Sequence, residues 1–171
     1  MNVFLPYEDD IVKSVQSLDD VRLNKQLVEC YQLLTSAIKE KRGYPIKGHR
    51  NHPVYVFYKD NMDFLCYYGK ICCIEYEHRF DKEHSLKEKF RVCRIVYGLK
   101  DNPQYTSYYM EGSIKDPNHI RTTENVSALF QQKLIKKWEQ DKVKGRQPKW
   151  TNREVPQFYQ QWLKENGDGN N

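Results

Sequence analysis

One stretch of the sequence places a carboxylate among cations at helical spacing. At about 100° per residue, Arg22 and Glu29 fall within about 20° of each other after two helical turns, with Lys25 between them. Two interpretations stay open. The face is a solvated stripe whose Lys–Glu pair contributes only tenths of a kcal/mol, or it is a carboxylate held among cations that also bind a phosphate. Arg22, Lys25 and Glu29 therefore form the first candidate site.

A second group of polar side chains stands directly before a proline. His49, Arg50, Asn51 and His52 precede Pro53, a favoured residue in the first turn of a helix. Such a run can bind an anion at the helix N-terminus, or it is a loop in which Asn or His caps the helix. A metal site on the two histidines lacks a third ligand at a convincing spacing, so we expect no metal.

Positive charge is concentrated in the C-terminal third of the chain. Residues 133–149 carry seven cations and two carboxylates, a net +5 that equals the formal charge of the whole chain. Trp138 and Trp150 are interleaved with Lys133 and Lys137, and basic residues beside stacking aromatics suit a nucleic-acid groove. The alternative is a solvated helix face followed by a linker.

The elements that must position these residues are helices. Apolar residues recur at spacings of three and four, and no period-2 alternation persists. We predict a mainly α, compact single-domain bundle, with a domain at 1–150 and a C-terminal helical extension with a disordered tail at 151–171. The apolar N-terminal segment, residues 1–10, is expected to pack between the helices. Helices are predicted at about 18–42, with Ser17 as its cap, and at 53–79, 86–97, 124–141 and 155–165, with an irregular loop at 98–122.

Composition narrows the class of protein. The 171 residues are 39% hydrophobic and 30% charged, without the roughly 20-residue apolar run that spans a bilayer. The N-terminus lacks the features of a signal peptide, and the five cysteines form no CxxC pair, so we expect reduced thiols in a cytoplasmic protein. Walker, Rossmann, GxSxG and HExxH motifs are absent.

Several motifs occur together in the order seen in one family. LDDVRLNKQLVE at 18–29, with MNVFLPY at 1–7 and RNHP at 50–53, resembles the pyrimidine-dimer DNA glycosylases of the phage endonuclease V type and their bacterial relatives. DNMDFL at 60–65, ENVSALFQQKL at 124–134 and RQPKW at 146–150 extend the similarity over most of residues 1–150. The resemblance implies a helical domain whose N-terminal segment threads between helices and brings the α-amine beside a catalytic glutamate.

The resemblance also implies a reaction that needs no cofactor. The α-amine attacks the sugar C1′ and forms an imine as the base leaves, and the same imine then permits β-elimination of the 3′ phosphate. An α-amine has a pKa of about 8, so a useful fraction is neutral at pH 7. The expected activities are those of a DNA glycosylase and abasic-site lyase on damaged or modified pyrimidines, such as dimers, in double-stranded DNA. We expect a monomer, in a cytoplasm where it is associated with the nucleoid, or in the host cytoplasm if the protein is viral.

Site residues follow from the resemblance position by position. The catalytic glutamate falls on Glu29, and a family histidine falls on Arg22, which we therefore expect to act in catalysis. The nucleophile falls on the amine of Met1, since Asn2 is bulky enough to block removal of Met1; it would be Asn2 if Met1 were removed. The expected DNA-binding residues are Lys25, His49, Arg50, Asn51, His52, Lys133, Lys137 and Trp150.

Two departures from the family keep another function open. Two arginines that flank the glutamate in the phage enzyme fall on Val28 and Gln32, and Lys25 with Arg22 is expected to replace them in phosphate binding. The Tyr-rich end of the phage enzyme is replaced by Phe158, Tyr159 and Trp162. The alternative function is a non-catalytic module of the same fold that recognises distorted or modified DNA or another partner, and a weaker one is action on a modified free nucleotide.

Overall fold

The computed structural model describes residues 3–7, 10–46, 48, 50–103 and 123–167. Every regular element in these ranges is a helix, which confirms the mainly α prediction. The helices are α1 (Ile11–Gln16), α2 (Asp20–Lys41), α3 (Pro53–Tyr58), α4 (Met62–Phe80), α5 (Lys87–Tyr97), α6 (Thr123–Val143) and α7 (Gln157–Asn166).

The start of α2 differs from the prediction because a short helix, α1, precedes it. Ser17 lies at the C-terminal end of α1, where its hydroxyl donates to the carbonyl of Ser14 at 2.7 Å. The N-cap position of α2 is Asp19. The predicted Ser17 cap is therefore wrong, since the hydroxyl of Ser17 is used by the preceding turn.

The single helix predicted at 53–79 is divided into α3 and α4. At the break, the side-chain amide of Asn61 donates to the carbonyl of Phe57 at 3.0 Å, and its backbone N–H turns to the carbonyl of Tyr58 at 2.9 Å. The side chain of Asn61 thus takes the acceptor that a continuing α-helix would give to its backbone. The chain begins the next helix at Met62.

Helix α4 is the central element. It packs against α1, α2 and α5, and its most extensive contact is with α2. The contact is apolar, as the predicted faces require: Leu23, Leu27 and Leu34 of α2 and Leu65 of α4 are fully buried. This confirms the expectation that the segment after Pro53 contains the most buried helix.

The described part of the N-terminal segment, residues 3–6, is packed between helices, as predicted. Val3, Phe4 and Leu5 are buried. The N–H of Phe4 donates to Oε1 of Gln26 in α2 at 3.1 Å, and its carbonyl accepts from the Tyr68 hydroxyl of α4 at 3.0 Å. On the other side, Nε2 of Gln131 in α6 donates to the carbonyl of Pro6 at 2.8 Å. Three helices therefore hold one extended segment by its backbone.

The chain after residue 150 is joined to the helical body by buried ion pairs. Both oxygens of Glu75 in α4 accept from Arg153, at 2.9 and 2.8 Å, and Glu75 also accepts from Arg79 at 2.7 Å. The hydroxyl of Thr151 donates to Asp20 at 2.7 Å. The division of the chain at residue 150 stays a prediction.

All five cysteines are buried and unpaired. Among the described residues, no helix combines the length and the apolar content that a bilayer span requires.

Candidate active site

The site is built where side chains of α2 meet side chains of α6. Near the start of α2, Arg22 pairs with Asp141 of α6 at 2.5 Å. Three residues earlier in each helix, Asp19 accepts from the indole N–H of Trp138 at 2.8 Å. Arg22 also donates to the backbone carbonyl of Lys137 at 3.4 Å. These contacts set the register of the two helices.

This register brings two lysines of α6 toward the polar face of α2. Lys137 and Lys133 lie one and two turns before Asp141, so all three side chains lie on the same side of the helix. One turn further back, Phe130 meets Phe4 of the N-terminal segment, with ring centroids 6.1 Å apart. Lys133 lies over the Phe130 ring at 5.9 Å. Lys133 is therefore linked through Phe130 to the N-terminal segment, and Lys137 lies one turn further along α6.

Glu29 lies on α2 next to this segment. Its side chain is 15% exposed, with Lys25 Nζ at 3.8 Å from one carboxylate oxygen. Nε2 of the buried Gln26 donates to the other oxygen at 3.4 Å. Because Oε1 of Gln26 accepts from the N–H of Phe4, the amide group faces Glu29 with its NH₂. One side chain thus links the backbone of Phe4 to the carboxylate of Glu29.

The predicted nucleophile is the α-amine of Met1 or of Asn2, and both residues lie outside the described part of the chain.

Several charges share the space beside Lys137. Burial lowers the pKa of the Lys137 ammonium, and the charges of Lys25 and Arg22 lower it further. The carboxylates of Glu29 and Asp141 act in the opposite direction. The charges of Arg22, Lys25 and Glu29 thus act on an amine contributed by a helix more than 100 residues away in the sequence.

Arg22 has a position different from the one expected of a catalytic residue. Its side chain is only 11% exposed and is clamped between Asp19, at 3.1 Å, and Asp141. Burial raises the pKa of Asp19, while the Trp138 N–H and Arg22 lower it. These contacts make Arg22 a structural link between α2 and α6, and its expected role in catalysis stays a prediction.

The loop before α3 is not brought to this site. His52 caps α3, with its Nδ1 accepting from the N–H of Val54 at 3.2 Å. Arg50 and Asn51 are exposed, and Arg50 Nε lies 3.8 Å from Glu40. Glu40 is about 16 Å along α2 from Glu29 at 1.5 Å per residue. The capping alternative is thus observed for His52. His49, the first residue of the predicted run, lies outside the described residues.

Trp150 has a packing role in this structure. It is 9% exposed, its indole N–H donates to the carbonyl of Ser17 at 2.9 Å, and its ring lies 5.0 Å from that of Trp138. A ring in this position packs mainly against the protein itself, and the expected DNA contact through Trp150 stays a prediction. Trp162, in contrast, is half-buried.

Sequence reasoning missed Gln26. It stands three residues after Leu23 and four before Cys30, both of which belong to the apolar face of α2. A glutamine within an apolar stripe must find buried partners, and this signal was present in the sequence. Among the described residues, no group of three or more His, Cys, Asp or Glu side chains is arranged to hold a metal ion.

One comparison with known proteins identifies a family for this chain. A family model described as pyrimidine dimer DNA glycosylase matches residues 1–88, which include the N-terminal segment, α2 and α4. No curated protein and no solved structure gives a significant match. The match covers half of the chain, and the family's description indicates glycosylase activity with DNA as the substrate. This protein belongs to the pyrimidine dimer DNA glycosylase family.

Proposed function

We propose that the protein is a DNA glycosylase with abasic-site lyase activity that acts on damaged or modified pyrimidines in double-stranded DNA. The nucleophile is the α-amine of Met1, or of Asn2 if Met1 is removed. The observation that carries the proposal is the chain of hydrogen bonds from Phe4 through Gln26 to Glu29. It ties the N-terminal segment to the one carboxylate that the family resemblance assigns to catalysis.

The reaction uses one amine in two stages. The nitrogen lone pair attacks C1′, the bond from C1′ to the base breaks, and ring opening gives an imine. Removal of a C2′ proton then breaks the C3′–O bond and releases the 3′ phosphate. Glu29 stabilises the positive charge that develops at the sugar and carries protons between these steps. Water hydrolyses the imine and restores the amine.

Phosphate binding is proposed for the lysines around Glu29. Lys25 is 65% exposed on its side-chain surface, and Lys133 and Lys137 stand on the facing helix. Cations at these positions hold the DNA backbone across the site and release counterions on binding. Arg50, Asn51 and His52 lie toward the far end of α2 and would contact a more distant part of a long duplex.

The test is reductive trapping of the imine. Borohydride is added to the protein with a duplex that carries a pyrimidine dimer or an abasic site. We expect a covalent adduct, and we expect Glu29→Gln to lower its rate of formation by roughly a hundredfold, the scale of one lost proton-transfer group. Duplex binding should persist, since the change removes a negative charge.

The matched control is Glu88→Gln, which neutralises an exposed carboxylate of α5 that is paired with Arg91. It should trap DNA at the wild-type rate. The proposal is refuted if Glu29→Gln also traps at that rate, or if wild-type protein gives no adduct with a broad panel of damaged and abasic duplexes.

One observation favours a second function, a binding module without chemistry. Val28 stands where the resemblance expects an arginine, and its side chain is exposed. The surface next to Glu29 is thus less cationic than that of the phage enzyme. Under this function, Glu29→Gln leaves every activity unchanged, and affinity for distorted DNA falls steeply with salt.

A further inference from the structure

Lys137 is held at the site through its own backbone. Its carbonyl accepts from Arg22 at 3.4 Å, and Arg22 pairs with Asp141 one turn further along α6. The point where the Lys137 side chain leaves α6 is therefore fixed against α2.

The side chain of Lys137 extends into a partly desolvated group of charges. The charges of Lys25, Arg22 and Glu29 on α2 and of Asp141 on its own helix act on this amine. Burial lowers the pKa of its ammonium, and the two cations of α2 add to this effect against the opposition of the two carboxylates. A larger fraction of this amine is neutral near pH 7 than of an ordinary lysine.

These conditions are the ones that activate a lysine for imine formation. A lysine becomes nucleophilic where burial and neighbouring cations favour its neutral form. A carboxylate nearby can accept and return the protons that the reaction moves. The neighbourhood of Lys137 offers all three: partial burial, the cations Lys25 and Arg22, and the carboxylate of Glu29.

We propose that the ε-amine of Lys137 is a second nucleophile of this site, which forms an imine with the ring-opened aldehyde of an abasic deoxyribose in DNA. This inference rests on the proposed function. The nitrogen lone pair of Lys137 attacks C1′ to give a carbinolamine, and loss of water forms the C=N bond. β-Elimination and hydrolysis then follow as for the α-amine, and the ε-amine is regenerated without any oxidant or reductant.

The experiment removes the α-amine and keeps every lysine. Transamination of the full chain with pyridoxal phosphate converts the N-terminal amine into a ketone. It is selective because it needs an acidic Cα–H beside the amine, which a lysine side chain lacks. Treated and untreated proteins are then trapped with borohydride on an abasic duplex, and the modified peptide is mapped by mass spectrometry.

We expect the treated wild-type protein to form an adduct on Lys137. Lys137→Arg keeps the positive charge, but its guanidinium stays protonated and cannot attack as a neutral amine. It should therefore lower adduct formation in the treated protein at least tenfold. Lys136→Arg, on an exposed neighbour in the same helix, should leave the yield unchanged. Mapping of the wild-type adduct provides a readout that does not depend on how well a variant folds.

The two proposals fail in different ways. If untreated protein is trapped at residue 1 or 2 and treated protein is not trapped at all, Lys137 is no nucleophile while the glycosylase function stands. If neither protein is trapped, the proposed function itself is refuted, and this inference falls with it.

Discussion

Removal of the ion pairs of Arg22 with Asp19 and Asp141 tests how α2 and α6 are held together. Replacing Arg22 with Ala removes a cation from Asp19, whose side chain is 1% exposed, and from Asp141, which is 18% exposed. Asp19 keeps the hydrogen bond from Trp138 but loses its compensating charge. The structure therefore predicts a loss of stability rather than a direct loss of chemistry.

The magnitude follows from the burial of the two carboxylates. Leaving a fully buried charge without its partner costs about 3–5 kcal/mol. Water reaches Asp141, so that pair contributes less than about 1 kcal/mol. Allowing for some relaxation around Asp19, we expect Arg22→Ala to lower the free energy of unfolding by about 2–4 kcal/mol. For a chain of this size, the melting temperature should fall by roughly 5–15 °C.

The assay is urea unfolding followed by circular dichroism, combined with borohydride trapping at a temperature where the variant stays folded. Lys25→Ala is the matched control. Its side chain is 65% exposed and lies 3.8 Å from Glu29, so its effect on stability should stay below about 0.5 kcal/mol. The double variant Arg22→Ala/Asp141→Asn isolates the energy of that pair. The reasoning is refuted if Arg22→Ala unfolds like wild type while its trapping rate falls a hundredfold, because Arg22 would then act in the chemistry.

Two further predictions concern the packing around α4. Gly69→Ala would place a Cβ against the ring of Phe90 in α5, so the helices must shift. Urea unfolding should show a loss of about 1–3 kcal/mol, and an unchanged midpoint would contradict this close approach. Glu75 is a test of pH dependence: burial raises its pKa, but hydrogen bonds and charges of Arg153 and Arg79 outweigh burial and hold the pKa below its usual value. Its contribution to stability is therefore present above the unfolded-state pKa of about 4.3 and is lost as the pH falls through the lower folded-state value. Glu75→Gln should lower stability at pH 7 by about 3–5 kcal/mol and show a smaller further loss at pH 3 than wild type, which unfolding curves at the two pH values would reveal.

Much of the helical fold could be predicted from local pattern. The apolar face of α2 follows from residues three and four apart, and the burial of Phe4 follows from a segment too apolar to be a free tail. The break before α4 could not be predicted in this way. It depends on the side-chain amide of Asn61, which donates to the carbonyl of Phe57 instead of to solvent.

The candidate site shows a similar division. The spacing of Lys25 and Glu29 indicated that they share a face, and they do lie within 3.8 Å of each other. The same spacing suggested that Arg22 acts beside them, but its guanidinium is occupied by Asp19 and Asp141. Helical periodicity shows which residues share a face, but it does not show which element covers that face.

The sequence by itself determined the helical class, the polar face of α2 and the concentration of cations at residues 133–149, because these properties depend on residues close together in the chain. Only the tertiary structure decided that the backbone of Lys137 lies against Arg22, that Gln26 joins the N-terminal segment to Glu29, and that Trp150 is buried. Arg22 and the carbonyl of Lys137 are 115 positions apart. Over such a separation, local propensity carries no information on register, and the partners are selected by how the apolar faces of the helices pack.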